Sequence, residues 1–455
     1  MLDVIFQIVF FLFPATENEI NALIKNLKLT KTNINKMPVK IFSSISPLLL
    51  YPLTKLINKS FQEGVFPTAL KLARITPIYK NGEKTDPYNY RPISSLPYLS
   101  KIFENCMKNR IISFFDKHNL FSRQQFGFLK NKSTQDALLE LIDKIYDSLN
   151  EKKYHLNILI DLRKAFDVVN HEILLRKLFL YRFNGTPLNW IKSYLKDRQR
   201  YVSVGDKASN SKIFNIGVPQ GSILGPILFL IYINDLPNVS KFLHSTLYAD
   251  DTTFSYSNKN YHQLTNIMNN ELKIVERWTH ANRLTINTDK TEIICFSNRP
   301  KQLNPGQIQL SGQSLNFSTS CKFLGVFIDY NLNFSQHITY ILNKTSKNCG
   351  IFYKIKDSMS RVARMSYYYA MIYPYLSYNI VIWGAASDVH LNPLFIIQKR
   401  MVRNILNAGF LEHSEPLFKS LKILKLKDIY LIHILISTHK SILNKKIQNP
   451  AHCQH

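Results

Sequence analysis

Leu247–Phe254 reads LYADDTTF, and its centre is a pair of adjacent carboxylates, Asp250 and Asp251. β-Favouring and apolar residues flank them: Ser245, Thr246, Leu247 and Tyr248 before, Thr252, Thr253 and Phe254 after. That composition predicts two short strands meeting at a tight turn, with the acids at the turn. Two carboxylates held this close repel each other unless a cation sits beside them. Oxygen-only ligands suit Mg²⁺, which also keeps water and substrate phosphates as ligands. A solvated turn that happens to contain two aspartates is the plain alternative.

Working outward, Leu156–Leu162 (LNILIDL) is a short apolar run of the kind that forms a buried strand, with Asp161 at its end. Ala165, Phe166, Val169, Ile173, Leu174, Leu178 and Phe179 recur at helical spacing, which predicts a helix over Arg163–Tyr181. An acid at the end of a buried strand is costly without a partner. A cation shared with Asp250 and Asp251 supplies one. Two metal ions on such a carboxylate set can activate an attacking 3′-hydroxyl and stabilise a leaving pyrophosphate.

Ile160–Asp167 (IDLRKAFD), Gly217–Pro226 (GVPQGSILGP) and Tyr248–Asp251 (YADD) follow one another in that order. They resemble the catalytic motifs of the reverse transcriptases of non-LTR retrotransposons of the Jockey-like kind. The likeness runs from about Phe10 to about Leu406. It implies an α+β, right-hand polymerase with an antiparallel palm sheet backed by helices. The expected division is a truncated lead-in at 1–16, fingers at 17–153, palm at 154–330 and a basic helical thumb region at 331–455. The reverse transcriptase domain itself would span about 60–330. The implied reaction adds dNTPs to a primer 3′-OH along an RNA template, with DNA as primer or target.

The resemblance also assigns residues. Asp161, Asp250 and Asp251 would hold two Mg²⁺ ions, with Mn²⁺ as a possible substitute. Lys80 and Arg91 would reach the triphosphate. Both are obligate donors, and Arg can grip phosphate bidentately; a solvated lysine and a structural arginine are the alternatives. Phe166 matches the aromatic beneath the sugar, or else is a helix core residue. Gln220 and Gly221 would meet the incoming nucleotide or its templating base. Lys290 is a candidate proton donor to the pyrophosphate, or else a surface lysine. Asp167 reads as a helix N-terminal acid rather than a ligand. Cys321–Asp329 (CKFLGVFID) resembles a short hairpin that supports the primer end.

The net charge of +27 fits a chain that meets a polyanion. No polybasic amphipathic segment points to a membrane. A hydrophobic share of 45% provides for packed cores. The five cysteines form no CxxC pair, which argues against a disulfide framework or zinc ribbon and for a reducing compartment. The expectation is an intracellular protein, nuclear at the point of integration and not secreted. His452, Cys453 and His455 could ligate a metal, but read as a frayed tail.

Met1–Phe13 carries Asp3, no basic start and no small-residue cleavage site, so it does not read as a signal peptide. Met1–Val9 reads as an arbitrary start in a truncated copy. Thr16 with Glu19 predicts a capped helix start. Asn33, Ile34 and Asn35 replace a Gly–Asp-type loop of the resembled elements. Ser46–Gln62 predicts a helix with Ser46 as cap and Gly64 just past its end. Gln124–Phe128 (QQFGF) reads as a turn, with Gly127 allowing close backbone approach to a template. Trp190 and Tyr194 fit a helix running to Arg200. Beyond Tyr330 there are 16 Lys and Arg against 5 Asp and Glu, with interleaved tyrosines. That suits contact with a duplex, although a plain core explains most of the tyrosines equally well.

No stretch resembles the endonuclease of these elements, an RNase H-like acidic set or a Cys/His knuckle. The chain is therefore expected to extend a supplied primer without opening DNA itself. The main rival is a truncated, inactive relic that only binds nucleic acid. An RNA-templated RNA polymerase is a third reading, against which Phe166 speaks.

Overall fold

The computed structural model describes residues 9–27, 38–298 and 308–448. The start Met1–Ile8, the Asn33–Asn35 loop and the His452/Cys453/His455 set lie outside them.

Phe10 is buried, stacked on Phe183 with ring centroids 3.9 Å apart. Helix α1 (Glu17–Lys25) begins as expected, with Thr16 Oγ1 accepting from Glu19 N at 3.2 Å. Helices α2 (Val39–Ser44) and α3 (Ser46–Glu63) follow. Ser46 does not cap α3: its hydroxyl donates to Ser43 O at 2.7 Å, and Ile45 precedes the helix without a side-chain cap. Gly64 ends α3 in the left-handed region (φ 67°). Strands β1 (Leu72–Tyr79) and β2 (Tyr90–Ser95) pair antiparallel, and α4 (Tyr98–Lys117) follows them. Helix α5 (Thr134–Asn150) opens on a reciprocal Ser133/Asp136 cap.

Strand β3 (Tyr154–Ile160) delivers Asp161 at its end. The expected helix does not start there. Residues 163–169 form turns, and α6 spans only His171–Leu180, capped by Asn170. Val169 and Ala165 are buried, but in a turn rather than on a helix face. Helix α7 (Thr186–Leu195) stops short of Arg200. Residues expected to continue it form β4 (Arg198–Val204), which pairs parallel with β1, far upstream in the chain. Short strands β5 (Lys207–Ala208) and β6 (Lys212–Phe214) complete that sheet. Helix α8 (Leu224–Ile233) is apolar on every side and almost wholly buried, as such a helix must be.

Strands β7 (His244–Tyr248) and β8 (Asp251–Asn258) form the expected hairpin, followed by α9 (Tyr261–Ala281) and β9 (Glu292–Phe296). The central sheet has the order β7-β8-β3-β9 and is antiparallel throughout. Two small hairpins follow, β10 (Gln309–Leu310) with β11 (Gln313–Ser314), and β12 (Ser320–Phe323) with β13 (Val326–Asp329). Beyond them the chain is helical, from α10 (Ser335–Ile355) to a final helix at Leu426–Gln448. Among the described residues no helix is long and apolar enough to cross a membrane.

Among the described residues two hydrophobic cores result. Leu156, Ile158 and Ile160 face the first, with α4, α8 and α9. Helix α5, Ile294 and Phe296 join the C-terminal helices in the second. On that side of β3, buried His155 bridges Ser148 (Nδ1, 2.8 Å) and Asn157 (Nε2, 2.9 Å). Burial holds its imidazole down at about 4. An unfolded chain protonates this histidine below about 6.5, while the folded chain stays neutral until about 4. Folded stability should therefore fall as pH drops through that window, by about 3 kcal/mol from this residue alone. Chemical denaturation at pH 7, 6 and 5 should show a shallower acid decline in His155→Gln than in the native chain. Identical slopes would mean that His155 does not stay neutral in the fold.

Candidate active site

The β7–β8 turn is only two residues long, because Tyr248 pairs directly with Asp251. Ala249 occupies it at φ 58°, a left-handed conformation that a β-carbon disfavours. Asp250 and Asp251 thus leave the hairpin tip next to the end of β3, where Ile160 faces Thr252 and Asp161 follows. The three acids come from two adjacent strands, as the spacing of the sequence predicts.

Their electrostatics show the strain of that arrangement. Burial raises the Asp250 carboxyl, and the charge of Asp161 adds to it, while Arg91 and Lys80 oppose. The Asp251 side chain meets solvent, yet the protein around it still displaces much of its hydration. That loss, then the charges of Asp250 and Asp161, push its carboxyl up to about 6. Asp161 is fixed by Asn287, whose Nδ2 donates to Oδ2 at 2.9 Å and whose N–H donates to the Asp161 carbonyl at 2.8 Å. Among the described residues, no three His, Cys, Asp or Glu side chains form a ready-made metal cage. The donor set nevertheless fits a hard divalent cation that completes its shell with water and substrate phosphates. It is all oxygen, and two of its acids ionise reluctantly until a cation arrives.

A cleft of 1470 Å³ opens beside the acids. Lys80, Arg91, Asp161, Phe166, Gln220, Gly221, Asp250 and Lys290 all line it, which brings together every residue selected from the sequence except Asp251. Lys80 and Arg91 are exposed on the β1–β2 hairpin and act on Asp250 from across the opening. Lys290 is exposed on the turn that follows Asn287.

The loop 217–223 is tied to the cleft floor by backbone bonds. Gly217 N–H donates to Val169 O and Val218 N–H to Phe166 O, both at 2.8 Å, and Ser94 N–H donates to Gln220 O at 2.7 Å. Gln220 Nε2 donates to Asp167 Oδ2 at 2.9 Å. Asp167 is therefore not a helix N-terminal acid but a half-buried acceptor that orients Gln220. Burial raises its carboxyl against the pull of Arg200 and Lys164. Phe166 stacks on Phe229 at 4.4 Å and meets Phe128 edge-on at 6.5 Å, so one aromatic cluster underlies the cleft.

This geometry can be set beside known proteins. Residues 78–328 match the family model described as reverse transcriptase (RNA-dependent DNA polymerase). The chain belongs to the reverse transcriptase family. It is 30% identical over 422 residues to the RNA-directed DNA polymerase from mobile element jockey of Drosophila melanogaster, covering 89% of this chain and 46% of that protein. It is 29% identical over 388 residues to the probable RNA-directed DNA polymerase from transposon X-element of the same organism, covering 84% and 42%. To that of transposon BS it is 28% identical over 455 residues, covering 96% and 49%. The chain thus spans about half the length of the curated relatives it matches.

All nine residues selected from the sequence fall within the matched reverse transcriptase region. Sequence reasoning also missed residues there. Gly127 does approach a backbone closely, that of the β7–β8 turn. A β-carbon on it would lie 2.4 Å from Ala249 N, against the turn that carries Asp250 and Asp251. Glu104 was passed over. It is fully buried, accepting from Ile223 N at 2.7 Å, Leu224 N at 3.2 Å and Ser100 Oγ at 2.8 Å. It thereby caps α8 from another helix and anchors the end of the Gln220 loop. Its signal was available: Ser100 and Glu104 share the face of α4 that carries Phe103 and Met107. Asn287 had no such signal, because nothing local shows that it reaches Asp161.

Proposed function

We propose that this chain is the RNA-directed DNA polymerase of a non-LTR retrotransposon, adding dNTPs to a primer 3′-OH. The convergence of Asp161, Asp250 and Asp251 at the mouth of a cleft walled by Lys80 and Arg91 is the observation that carries it. In this reading the central sheet and its helices are the palm (about 154–330). Residues 17–153 are the fingers, and the basic helices beyond 330 are the thumb region. Helix α5 then joins the fingers to the thumb side, since it shares the second core with the C-terminal helices. Asp161, Asp250 and Asp251 would hold two Mg²⁺ ions, or Mn²⁺ in their place. Such ions ease ionisation of the attacking hydroxyl and offset charge on the leaving pyrophosphate.

The chain's own residues have distinct tasks. Lys80 and Arg91 grip the triphosphate. Asp167 holds the Gln220 amide so that it faces the nucleotide, and Gly221 lets the loop lie close. Lys290 gives a proton to the departing pyrophosphate. Its RNA template and DNA target make it an intracellular enzyme, nuclear at the point of integration. Primer extension by the purified chain with Mg²⁺, on RNA and DNA templates, tests the assignment. Binding without extension on either template would leave the relic reading standing.

Phe166 carries sugar choice in this reading. With one face on Phe229, its ring is held rigidly and leaves no room for a 2′-hydroxyl. Discrimination is then a clash against ribonucleotides rather than a contact with deoxynucleotides. Phe166→Val should narrow the ratio of dNTP to rNTP incorporation efficiency on the order of 10-fold or more. Phe166→Leu, which keeps more volume, controls for packing loss. An unchanged single-turnover ratio in folded variants would make Phe166 a core residue only.

A further inference from the structure

We propose that Gln125 is the positioning residue of the catalytic turn, holding Ala249 and thereby the Asp250–Asp251 pair from outside the hairpin. This rests on the polymerase reading above. Ala249 N–H lies at the tip of a two-residue turn, where the ladder provides no partner for it. The residue is 4% exposed, so water does not serve it either. A buried donor left unpaired is costly, and the left-handed Ala249 already strains the turn. Gln125 supplies the acceptor. Its Oε1 takes Ala249 N–H at 3.0 Å and Gly127 N–H at 2.7 Å, and the side chain is itself buried, at 2% exposure.

The support is fixed on both sides. Phe126 N–H donates to Leu247 O at 2.8 Å and Leu247 N–H to Gln124 O at 2.9 Å, so the Gln124–Phe126 backbone runs along β7 as a short parallel bridge. Lys132 closes the far side. Its Nζ donates to Arg123 O at 2.6 Å and Gln125 O at 2.7 Å, and sits 4.6 Å over the Phe126 ring. Gly127 completes the bracket, since any β-carbon there would strike the turn. A neutral amide suits the place. It accepts two N–H groups without adding a negative charge beside two acids that already repel.

Such a bracket sets where the acids stand and leaves nucleotide contacts alone. Gln125→Met keeps the volume and removes the acceptor. In single-turnover extension its maximal rate should fall about 10- to 100-fold, while dNTP half-saturation and primer–template affinity stay within about 3-fold. Lys132→Met loosens the same bracket one step away and should show the same split with a smaller drop. It also keeps the test open where Gln125→Met does not fold. Loss confined to thermal stability, or falling on template affinity, would overturn the proposal. So would native rates in either folded variant. A native chain that extends no primer would instead overturn the polymerase reading, which separates the two failures.

Discussion

Asp250→Asn should abolish primer extension in Mg²⁺, by about 1000-fold or more, while template binding stays close to native. The substitution keeps shape and removes one charge. In the proposed metal site a divalent cation would lose an anionic oxygen for a weak amide oxygen, and several kcal/mol of transition-state stabilisation would go with it, at about 1.36 kcal/mol per tenfold in rate. One charge is a small part of a surface with net charge +27, so phosphate binding hardly changes. The variant should also be no less stable without metal, and here the sign can be worked out. In the fold Asp251 is pushed up to about 6, by lost hydration first and then by the charges of Asp250 and Asp161. An acid with a raised folded pKa costs the fold stability as pH rises through about 4 to about 6. The neutral amide of the variant relieves that repulsion, so its metal-free unfolding curves should decline less over this range than those of the native chain. Robust extension by the variant would falsify the metal-site assignment. A lower metal-free stability at pH 7 would mean that Asp250 is held by contacts rather than stressed by charge.

Gly217→Ala should raise the dNTP half-saturation concentration by about 10-fold or more and cost about 3 kcal/mol of stability. Gly217 stands at φ 77°, and a β-carbon there would lie 2.4 Å from Asp167 O, 2.8 Å from its carbonyl carbon and 2.9 Å from its Cα. All three are backbone atoms of the turn beneath the cleft. They cannot yield without stretching the bonds from Gly217 to Val169 and from Val218 to Phe166. Relief comes only by parting the Gln220 loop from the turn that carries Phe166 and Asp167, just after Asp161. The cleft then opens along its own seam. Gly312→Ala is the matched control. It has a similar φ of 76° and nothing within 4 Å, so it should lose only the conformational part and no nucleotide affinity. Equal effects from the two variants would show that backbone strain, not the clash at Asp167, decides the outcome.

The parts of this chain visible in its sequence are those whose cause is local. The apolar run ending in Asp161 made β3, and the β-favouring residues around Asp250 and Asp251 made a hairpin. Thr16 with Glu19 and Gly64 marked helix ends through chemistry a few residues long. The turn at 163–169 was misread because Ala165, Phe166 and Val169 are spaced as on a helix. What holds them instead are bonds from residues 217 and 218. Strand β4 was misread for a similar reason. Arg198, Gln199, Arg200 and Tyr201 carry little strand signal, and their order comes from parallel pairing with β1 far upstream. Gly127 announced a close approach, but only the fold could name the neighbour. Gln125 and Asn287 act across 124 and 126 positions, and no local pattern reports such reach; Glu104 reaches across 119, and only its place on the buried face of α4 hinted at it.

Strand β3 is flanked on both sides by partners that come much later in the chain. Its neighbour β8 starts at Asp251 and β9 at Glu292, some 90 and 130 residues after Ile160. A ribosome adding roughly 5–20 residues per second leaves Leu156–Ile160 without either partner for several seconds. During that interval an apolar strand offers two unpaired edges to any neighbour, including a second nascent copy on the same message. Yield in a cell should then depend on chaperones that shelter the nascent segment. Chains stalled or truncated between residues 160 and 250 should aggregate far more than those released after residue 298.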